Sequence, residues 1–261
     1  MRAASIGPGY RRTLVRAAPL VVAAAAAIIL IDRLPQPAPP ASPAANAAVA
    51  PAVGPARGYD DLAAQYSAAL EENRRRADAR GSEWLIQEQL ARAAFARGRL
   101  TGSYDDYALA QAALDRAFAS APQGSGPHLS QAVLHLMMHR LGRAEAMLDA
   151  IGRYAVPPDS GERAEIAAMR GDIAFYRGDY AGALRHYEEA DAIEAGAADF
   201  RRAIFHSKTG RVDLAERYFD SYERRLVRPD RHMRANMALQ RGILDLDSGR
   251  WEEALAHFRA A

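Results

Sequence analysis

The stretch GDYAGALRHYEEA, from Gly178 to Ala190, decides the fold of this protein. A small residue at Ala183 is followed four positions later by Tyr187 and three positions after that by Ala190. This spacing places all three side chains on one face of a helix. A small residue lets a second helix approach to about 8 Å, and a ring one turn further along fills the space where the two helices diverge. The stretch therefore predicts the second helix of an antiparallel pair.

The same pattern returns twice further along the chain. GRVDLAERYFDSY begins at Gly210 and GRWEEALAHFRAA begins at Gly249, so the leading glycines of the three copies lie 32 and 39 residues apart. Each copy follows another amphipathic segment, and no alternating strand pattern is present from Tyr59 onward. The sequence thus predicts tandem pairs of helices.

Two earlier copies are looser. The first carries its pattern at three positions, Ala110, Leu114 and Ala117. The second begins at Gly142 and has Met147 and Ile151 at the small and ring positions. Gly142, Gly178, Gly210 and Gly249 are expected to end the first helix of each pair, because glycine adopts the left-handed C-cap conformation at little cost.

A helix pair that repeats every 32 to 39 residues, with this small-aromatic-small pattern in its second helix, resembles the tetratricopeptide repeat (TPR). The resemblance covers about Glu83 to Ala261, and Pro122 matches the proline that ends a repeat. Gly171 and Gly242 fill the small position of the first helix. The positions expected to hold Leu and Tyr depart from the family pattern: they hold Arg170, Ala174, Arg241 and Asp245.

The resemblance implies an all-α fold, a right-handed α-solenoid of tandem helix-turn-helix (TPR-like) repeats with a concave groove lined by the first helices. Members of this family bind extended peptides or helices in that groove and assemble complexes, so a non-catalytic protein-interaction scaffold is expected. The family consensus, counted from the glycine at each turn, places six residues near the groove: Arg140, Asp172, Tyr176, Arg201, Lys208 and Gln240.

The N-terminal part of the chain predicts membrane attachment or export. Within residues 1–33, Arg11, Arg12 and Arg16 precede an uncharged run from Ala17 to Ile31, which as a helix would span roughly 22 Å. An uncleaved anchor, with the repeats on the extracytoplasmic (periplasmic) side, is favoured because no small-residue cleavage site follows the run closely. The alternative is a cleaved signal and a secreted protein. Residues 34–57 are rich in Pro and Ala and predict an exposed, semi-rigid linker.

Charge and composition exclude several classes. Residues 1–56 carry five basic residues and one acidic residue, so residues 57–261 carry 34 − 5 = 29 basic and 32 − 1 = 31 acidic residues. A nucleic-acid module would concentrate positive charge on its fold, so no nucleic-acid partner is expected. Cysteine is absent.

Residues 58–82 predict a leading helix with Glu71–Arg75 and Glu72–Arg76 ion pairs, followed by about five repeats over residues 83–261.

The sequence contains no complete catalytic or metal-binding motif. His135 and His139 have the spacing of two ligands on one helix face, but Leu136 stands where a zinc protease has glutamate, and a third ligand is not apparent. Asp105–Asp106 and the other paired carboxylates are expected at helix starts or on exposed faces, with Ser103 and Asp106 forming a capping box. The chain is predicted to be no enzyme and to use no cofactor or metal. The alternatives are a TPR-like part of a larger envelope-assembly machine or enzyme, and a metal-binding helical protein that uses the two histidines.

The last copy of the pattern predicts self-association. Trp251, Ala254, Leu255 and Phe258 form one apolar stripe, and the repeat to which they belong is incomplete at Ala261. Solenoids close with a polar capping element. The stripe is therefore expected either to continue into a longer array or to pair with another subunit.

Overall fold

A computed structural model describes residues 58–226 and 231–261, which form eleven helices and no strand. The all-α expectation is confirmed for this part of the chain. The helices are α1 (Tyr59–Ala79), α2 (Trp84–Thr101), α3 (Tyr104–Ser120), α4 (His128–Met137), α5 (Leu141–Ile151), α6 (Ser160–Tyr176), α7 (Tyr180–Ile193), α8 (Asp199–Lys208), α9 (Val212–Arg225), α10 (Arg231–Asp247) and α11 (Trp251–Ala260). The predicted anchor and linker, in residues 1–57, lie outside the described residues.

The helices pack as consecutive pairs. The most extensive contacts join α2 with α3, α4 with α5, α6 with α7, α8 with α9 and α10 with α11, and α1 packs on α2. Between pairs, the second helix of one pair contacts the first helix of the next, and two first helices also contact the following first helix, α2 with α4 and α6 with α8. Extensive contacts therefore stay local in sequence, which gives the fold its repeat-like character.

The turn inside each of the last four pairs has the same backbone geometry. Gly178, Gly210 and Gly249 have φ of 83°, 78° and 77°, the left-handed values that end a helix. In each turn the N–H of the following residue donates to the carbonyl five positions earlier, at 2.8 or 2.9 Å: Asp179 to Ala174, Arg211 to His206, Arg250 to Asp245 and, in the fourth turn, Arg140 to His135. This bond defines the Schellman motif.

The expectation that Gly142 makes the fourth turn is wrong. Gly142 lies inside α5, and the left-handed residue is His139, with φ of 57°. The buried residues of α5 are Ala144, Leu148 and Ile151, so the small-large pattern is present but lies three residues earlier than the alignment that starts from Gly142. Histidine is among the residues that enter the left-handed region more often than most, and here it replaces the glycine.

A close approach inside the α6–α7 pair explains the opening pattern. Ala183, Tyr187 and Ala190 are buried, and a Cβ added at Gly171 would overlap the Tyr187 ring. In the α10–α11 pair a Cβ on Gly242 would lie 2.5 Å from Cε1 of Phe258. In both contacts, Gly171 with Tyr187 and Gly242 with Phe258, the small residue and the ring are sixteen positions apart. Two further buried couples, in the α4–α5 and α8–α9 pairs, have the same spacing: Ala132 with Leu148 and Ala203 with Phe219.

The hydrophobic core is divided along the chain into three successive clusters. The first runs from Leu70 to Ile173, the second from Ala164 to Phe205, and the third from Phe200 to Leu244. Neighbouring clusters overlap only on shared helices. Each pair therefore buries its apolar face against its own partner helix and the adjacent pair.

Two predictions for the first helices, the ion pairs on α1 and the capping box of α3, differ from what the structure shows. The ion pair on α1 joins Arg75 to Glu72, at 2.5 Å, in place of the predicted i,i+4 pairs. Positions three apart are equally close on a helix. Ser103 caps α3 by accepting from the Asp106 N–H at 3.4 Å, but the Asp106 carboxylate is buried and accepts from Arg97 Nε at 2.8 Å.

Candidate functional site

Three residues predicted to bind a partner come together between α6, α7 and α8. Asp172 and Arg201 are buried, with 4% and 3% of their surfaces exposed, and Arg201 Nε donates to Asp172 Oδ2 at 2.8 Å. Arg201 also donates to Glu165, and the Tyr187 hydroxyl donates to Asp172 Oδ1 at 2.9 Å. Both oxygens of Asp172 are thus satisfied inside the protein.

The third residue, Tyr176, borders this network without joining it. Its hydroxyl is buried and has no hydrogen-bond partner among the described residues. Burial raises the pKa of Tyr176, and the carboxylate of Asp172 raises it further. Burial likewise raises the pKa of Asp172, although the guanidinium of Arg201 opposes the shift. The cavity at this point is about 10 Å³, room for about one water. A partner would reach Asp172 and Arg201 only if the network opened.

The other three predicted residues lie in separate parts of the fold. Gln240 is buried in α10. Lys208 ends α8, and its Nζ lies 3.0 Å from Asp247 Oδ2. Arg140 is exposed in the turn before α5. The structure does not gather these side chains into one site.

A larger cavity opens between the first helices of three successive pairs. It has a volume of about 270 Å³ and is bordered by α2, α4, α6 and the last residue of α5, together with the loops before α4 and α6. Its apolar wall consists of Trp84, Leu85, Leu129, Ile151 and Ile166, and its polar wall includes Glu88, Gln89, Arg92, Tyr154 and Glu162. We call this cavity the α2–α4–α6 pocket.

Two helix positions fix the carboxylates of the pocket. Glu88 Oε1 accepts from Ser130 Oγ at 2.6 Å, which ties α2 to α4. Glu162 belongs to a capping box at the start of α6, where its side chain accepts from the Asp159 N–H at 3.2 Å. Burial raises the pKa of Glu88, Ser130 and Arg92 oppose the shift, and Glu162 adds to it. The carboxylate of Glu162 is therefore close enough to affect that of Glu88.

Loop residues close one side of the pocket. The Tyr154 hydroxyl donates to the Gly126 carbonyl and accepts from the His128 N–H at 3.3 Å. His128 also packs edge-on against Phe118, with ring centroids 4.8 Å apart. Burial raises the pKa of Tyr154 to about 12, and the charges of Glu88 and Glu162 contribute to the rise. These contacts join the loop before α4 to the loop before α6 on this side of the pocket.

The two histidines weighed as metal ligands do not share a helix face. α4 ends at Met137, and the left-handed backbone of His139 directs it away from the helix, with its ring 4.8 Å from that of Tyr176. His135 is buried in α4, and burial lowers its pKa. Within residues 58–226 and 231–261, no three His, Cys, Asp or Glu side chains are grouped as metal ligands would be.

No protein-family model matches this chain, and a comparison with curated proteins found no match. In the part of the chain that the structure describes, no helix combines the length and apolar character needed to cross a bilayer. The interpretation of the site therefore rests on its geometry.

The sequence prediction missed the residues of the α2–α4–α6 pocket. The family consensus assigns groove positions by their distance from the glycine at each turn. In the α2–α3 pair the distance from the turn to the small residue of the second helix differs from the consensus. One signal was available: Leu85, Gln89 and Arg92 recur at i, i+4 and i+7 on α2. Two of these are polar, on a face separate from the buried face that contains Ile86 and Leu90. A second, mixed face of this kind is typical of a helix that borders a groove.

Proposed function

We propose that this protein is a non-catalytic protein-interaction scaffold, a right-handed TPR-like α-solenoid that binds an extended segment of a protein partner. Three features support the solenoid. Extensive helix contacts are local in sequence, four turns share the Schellman geometry, and the core is divided into overlapping clusters along the chain. Contacts of this kind are expected where each repeat packs only on its neighbours.

The α2–α4–α6 pocket is the observation that carries the binding proposal. It lies on the face where the first helices of three successive pairs meet, and it combines apolar walls with a few polar groups. Binding sites are typically concave and apolar with a small number of placed polar groups. Leu85 is 54% exposed at its edge, so an apolar surface is available to a peptide.

Selection of binders from a display library of random peptides, with the full chain as the target, tests this proposal. Leu85→Glu should weaken the selected peptides by about tenfold or more, because it places a charge on the apolar edge. The matched control is Tyr104→Glu, which changes an aromatic residue that is 85% exposed at the start of α3, outside the pocket. If both variants bound the selected peptides as tightly as the original protein does, the peptide site would lie outside the α2–α4–α6 pocket.

The proposal includes attachment to, or export across, a membrane through residues 1–33. A reporter that is active only outside the cytoplasm, fused after Ala56, should give signal, and carbonate washing should leave the fusion in the membrane fraction. Signal with full release into the soluble fraction would favour the cleaved-signal alternative.

Self-association is a further part of the proposal. Trp251 and Leu255 are 67% and 49% exposed on α11, whereas Ala254 is buried. Exposed apolar residues at helical spacing favour packing against another helix. Sedimentation of the full chain in detergent should show an oligomer that Leu255→Glu with Phe258→Glu converts toward monomer. A monomeric original protein would contradict this part.

A further inference from the structure

The charges that line the α2–α4–α6 pocket do not balance. Glu88 and Glu162 each carry a negative charge when ionised, and Arg92 is the only basic residue in the lining. Burial lowers the pKa of Arg92, and the nearby Glu88 opposes that shift, so the guanidinium is already electrostatically engaged with a carboxylate. One negative charge therefore lacks a counterpart within the lining.

The pocket lining also includes hydrogen-bond acceptors that lack a donor within the described part of the chain. The Oε1 atom of Gln89 is buried and has no hydrogen-bond partner among the described residues. Ser130 donates to one oxygen of Glu88, and the other, Oε2, receives no hydrogen bond within the described part of the chain. Of these two acceptors Gln89 Oε1 is the buried one, and a donor from a ligand would remove the cost of leaving it without a partner.

The size of the pocket limits what can enter. At about 270 Å³ it lies just below the roughly 300–1,000 Å³ of sites that enclose drug-sized ligands. One long side chain therefore fits this volume better than a drug-sized ligand does. Leu129 and Ile166 offer apolar contact for a methylene stem, as lysine and arginine stems prefer.

We propose that the α2–α4–α6 pocket binds a lysine or arginine side chain of an extended peptide, with the charged head between Glu88 and Glu162 and the stem against Leu129 and Ile166. The inference rests on the proposed peptide-binding function and specifies its ligand. A basic head supplies the missing positive charge and several N–H donors at once. An acidic side chain would instead meet two carboxylates and an unpaired amide oxygen.

The probes for the test are libraries of blocked peptides, each with one fixed central residue and uncharged random neighbours. Binding to the full chain is measured for central lysine, arginine, norleucine and glutamate. The lysine and arginine libraries should bind about tenfold more tightly than the norleucine library at low salt, and the preference should shrink at high salt. The glutamate library should bind most weakly.

Two conservative variants assign the preference to the pocket. Glu88→Gln and Glu162→Gln keep the side-chain oxygens that accept from Ser130 and from the Asp159 N–H, so α2 and α6 should stay in place. Each should reduce the ratio of lysine-library affinity to norleucine-library affinity several-fold, because the charged head loses one of its two carboxylates. The matched control is Glu188→Gln, which removes an exposed carboxylate on α7 and should change nothing.

The outcomes separate the two proposals. Peptide binding without preference for a basic residue, or a preference that both variants retain, overturns the basic side-chain pocket and leaves the scaffold proposal standing. A preference for glutamate overturns it in favour of Arg92 as an anion site. Absence of binding by every library overturns the scaffold proposal together with this inference.

Discussion

Gly171 shows how one missing side chain sets the distance between two helices. The Tyr187 ring packs directly on the α6 backbone at Gly171, and the Tyr187 hydroxyl is held by Asp172, the next residue in the chain. The ring is therefore fixed at both ends. Because the interior is close-packed, a group added beneath the ring has no free space to enter.

We expect Gly171→Ala to lower the free energy of unfolding by about 1–3 kcal/mol, because its Cβ would displace the Tyr187 ring and strain the bond to Asp172. Urea unfolding followed by circular dichroism measures the change. The control is Gly142→Ala in α5, where an added Cβ meets nothing within 4 Å. That variant should be neutral or more stable by up to about 1 kcal/mol, since alanine is the better helix former. The same sign at both positions would contradict the packing argument.

His206 makes stability depend on pH. Burial, with the charges of Arg202 and Arg211, lowers its pKa to about 4, and its ring stacks on Tyr218 at a centroid distance of 5.4 Å. The folded state therefore favours the neutral ring. Between the ordinary pKa of 6.5 and about 4, the unfolded chain binds the proton more tightly, so this contribution to stability is present above pH 6.5 and is lost as the pH falls toward 4.

We expect His206→Gln to remove that dependence. Between about pH 7 and about pH 4 the original protein should lose up to about 3 kcal/mol more unfolding free energy than the variant, from about 1.4 kcal/mol per pKa unit. Urea titrations at a series of pH values measure the difference. The control, His186→Gln, changes a more exposed ring on α7. If the unfolding free energies of His206→Gln and the original protein changed equally with pH, His206 would not be the source of the pH dependence.

At the level of the helix pair, the sequence predicts packing better than it predicts turns. Small and large residues at fixed spacing anticipated the buried faces of α7 and α9, because the helical period and the need to bury apolar area are both readable from residue type. The glycine pattern predicts the α4–α5 turn at Gly142, whereas a histidine, His139, holds its left-handed position. A left-handed residue other than glycine leaves no signal in composition.

We expect Ala183→Leu to lower the free energy of unfolding by about 1–3 kcal/mol, because the helix crossing between α6 and α7 has no room for three more carbons. Ala183 is fully buried, whereas Ala181, two residues earlier on the same helix, is exposed. Ala181→Leu should therefore be near neutral, and thermal or urea unfolding distinguishes the two. Equal effects would mean that α7 is rotated relative to its partner.

For the candidate site the sequence was less informative. Asp172, Tyr176 and Arg201 are among the six residues expected near the groove, but Asp172 and Arg201 are buried and their charges pair within the protein. The α2–α4–α6 pocket depends on how three pairs are placed relative to one another, and that placement follows from contacts between pairs. Repeat spacing alone does not encode it. Similarity to the family consensus therefore predicts the repeating unit more reliably than the groove.

For the whole molecule, the division of the core predicts that damage stays local. Leu244 in α10 is buried and belongs to the cluster that runs from Phe200 to Leu244, whereas α2 and α3 belong to the first cluster. Extensive contacts join only helices that are adjacent or next but one in sequence. A molecule held together in this way can open one pair while distant pairs stay closed.

We therefore expect Leu244→Ala, which should cost about 2–5 kcal/mol locally, to speed amide hydrogen exchange in α10 and α11 and, to a lesser degree, in α9. Exchange in α2 and α3 should be unchanged. The reciprocal variant is Leu90→Ala, at a buried position in α2, which should speed exchange in α1 to α3 and leave α10 and α11 unaffected. Native-state exchange read by mass spectrometry resolves these segments. If either substitution accelerated exchange equally along the chain, the protein would be one cooperative unit, and the independence of its ends, on which the solenoid proposal depends, would be lost.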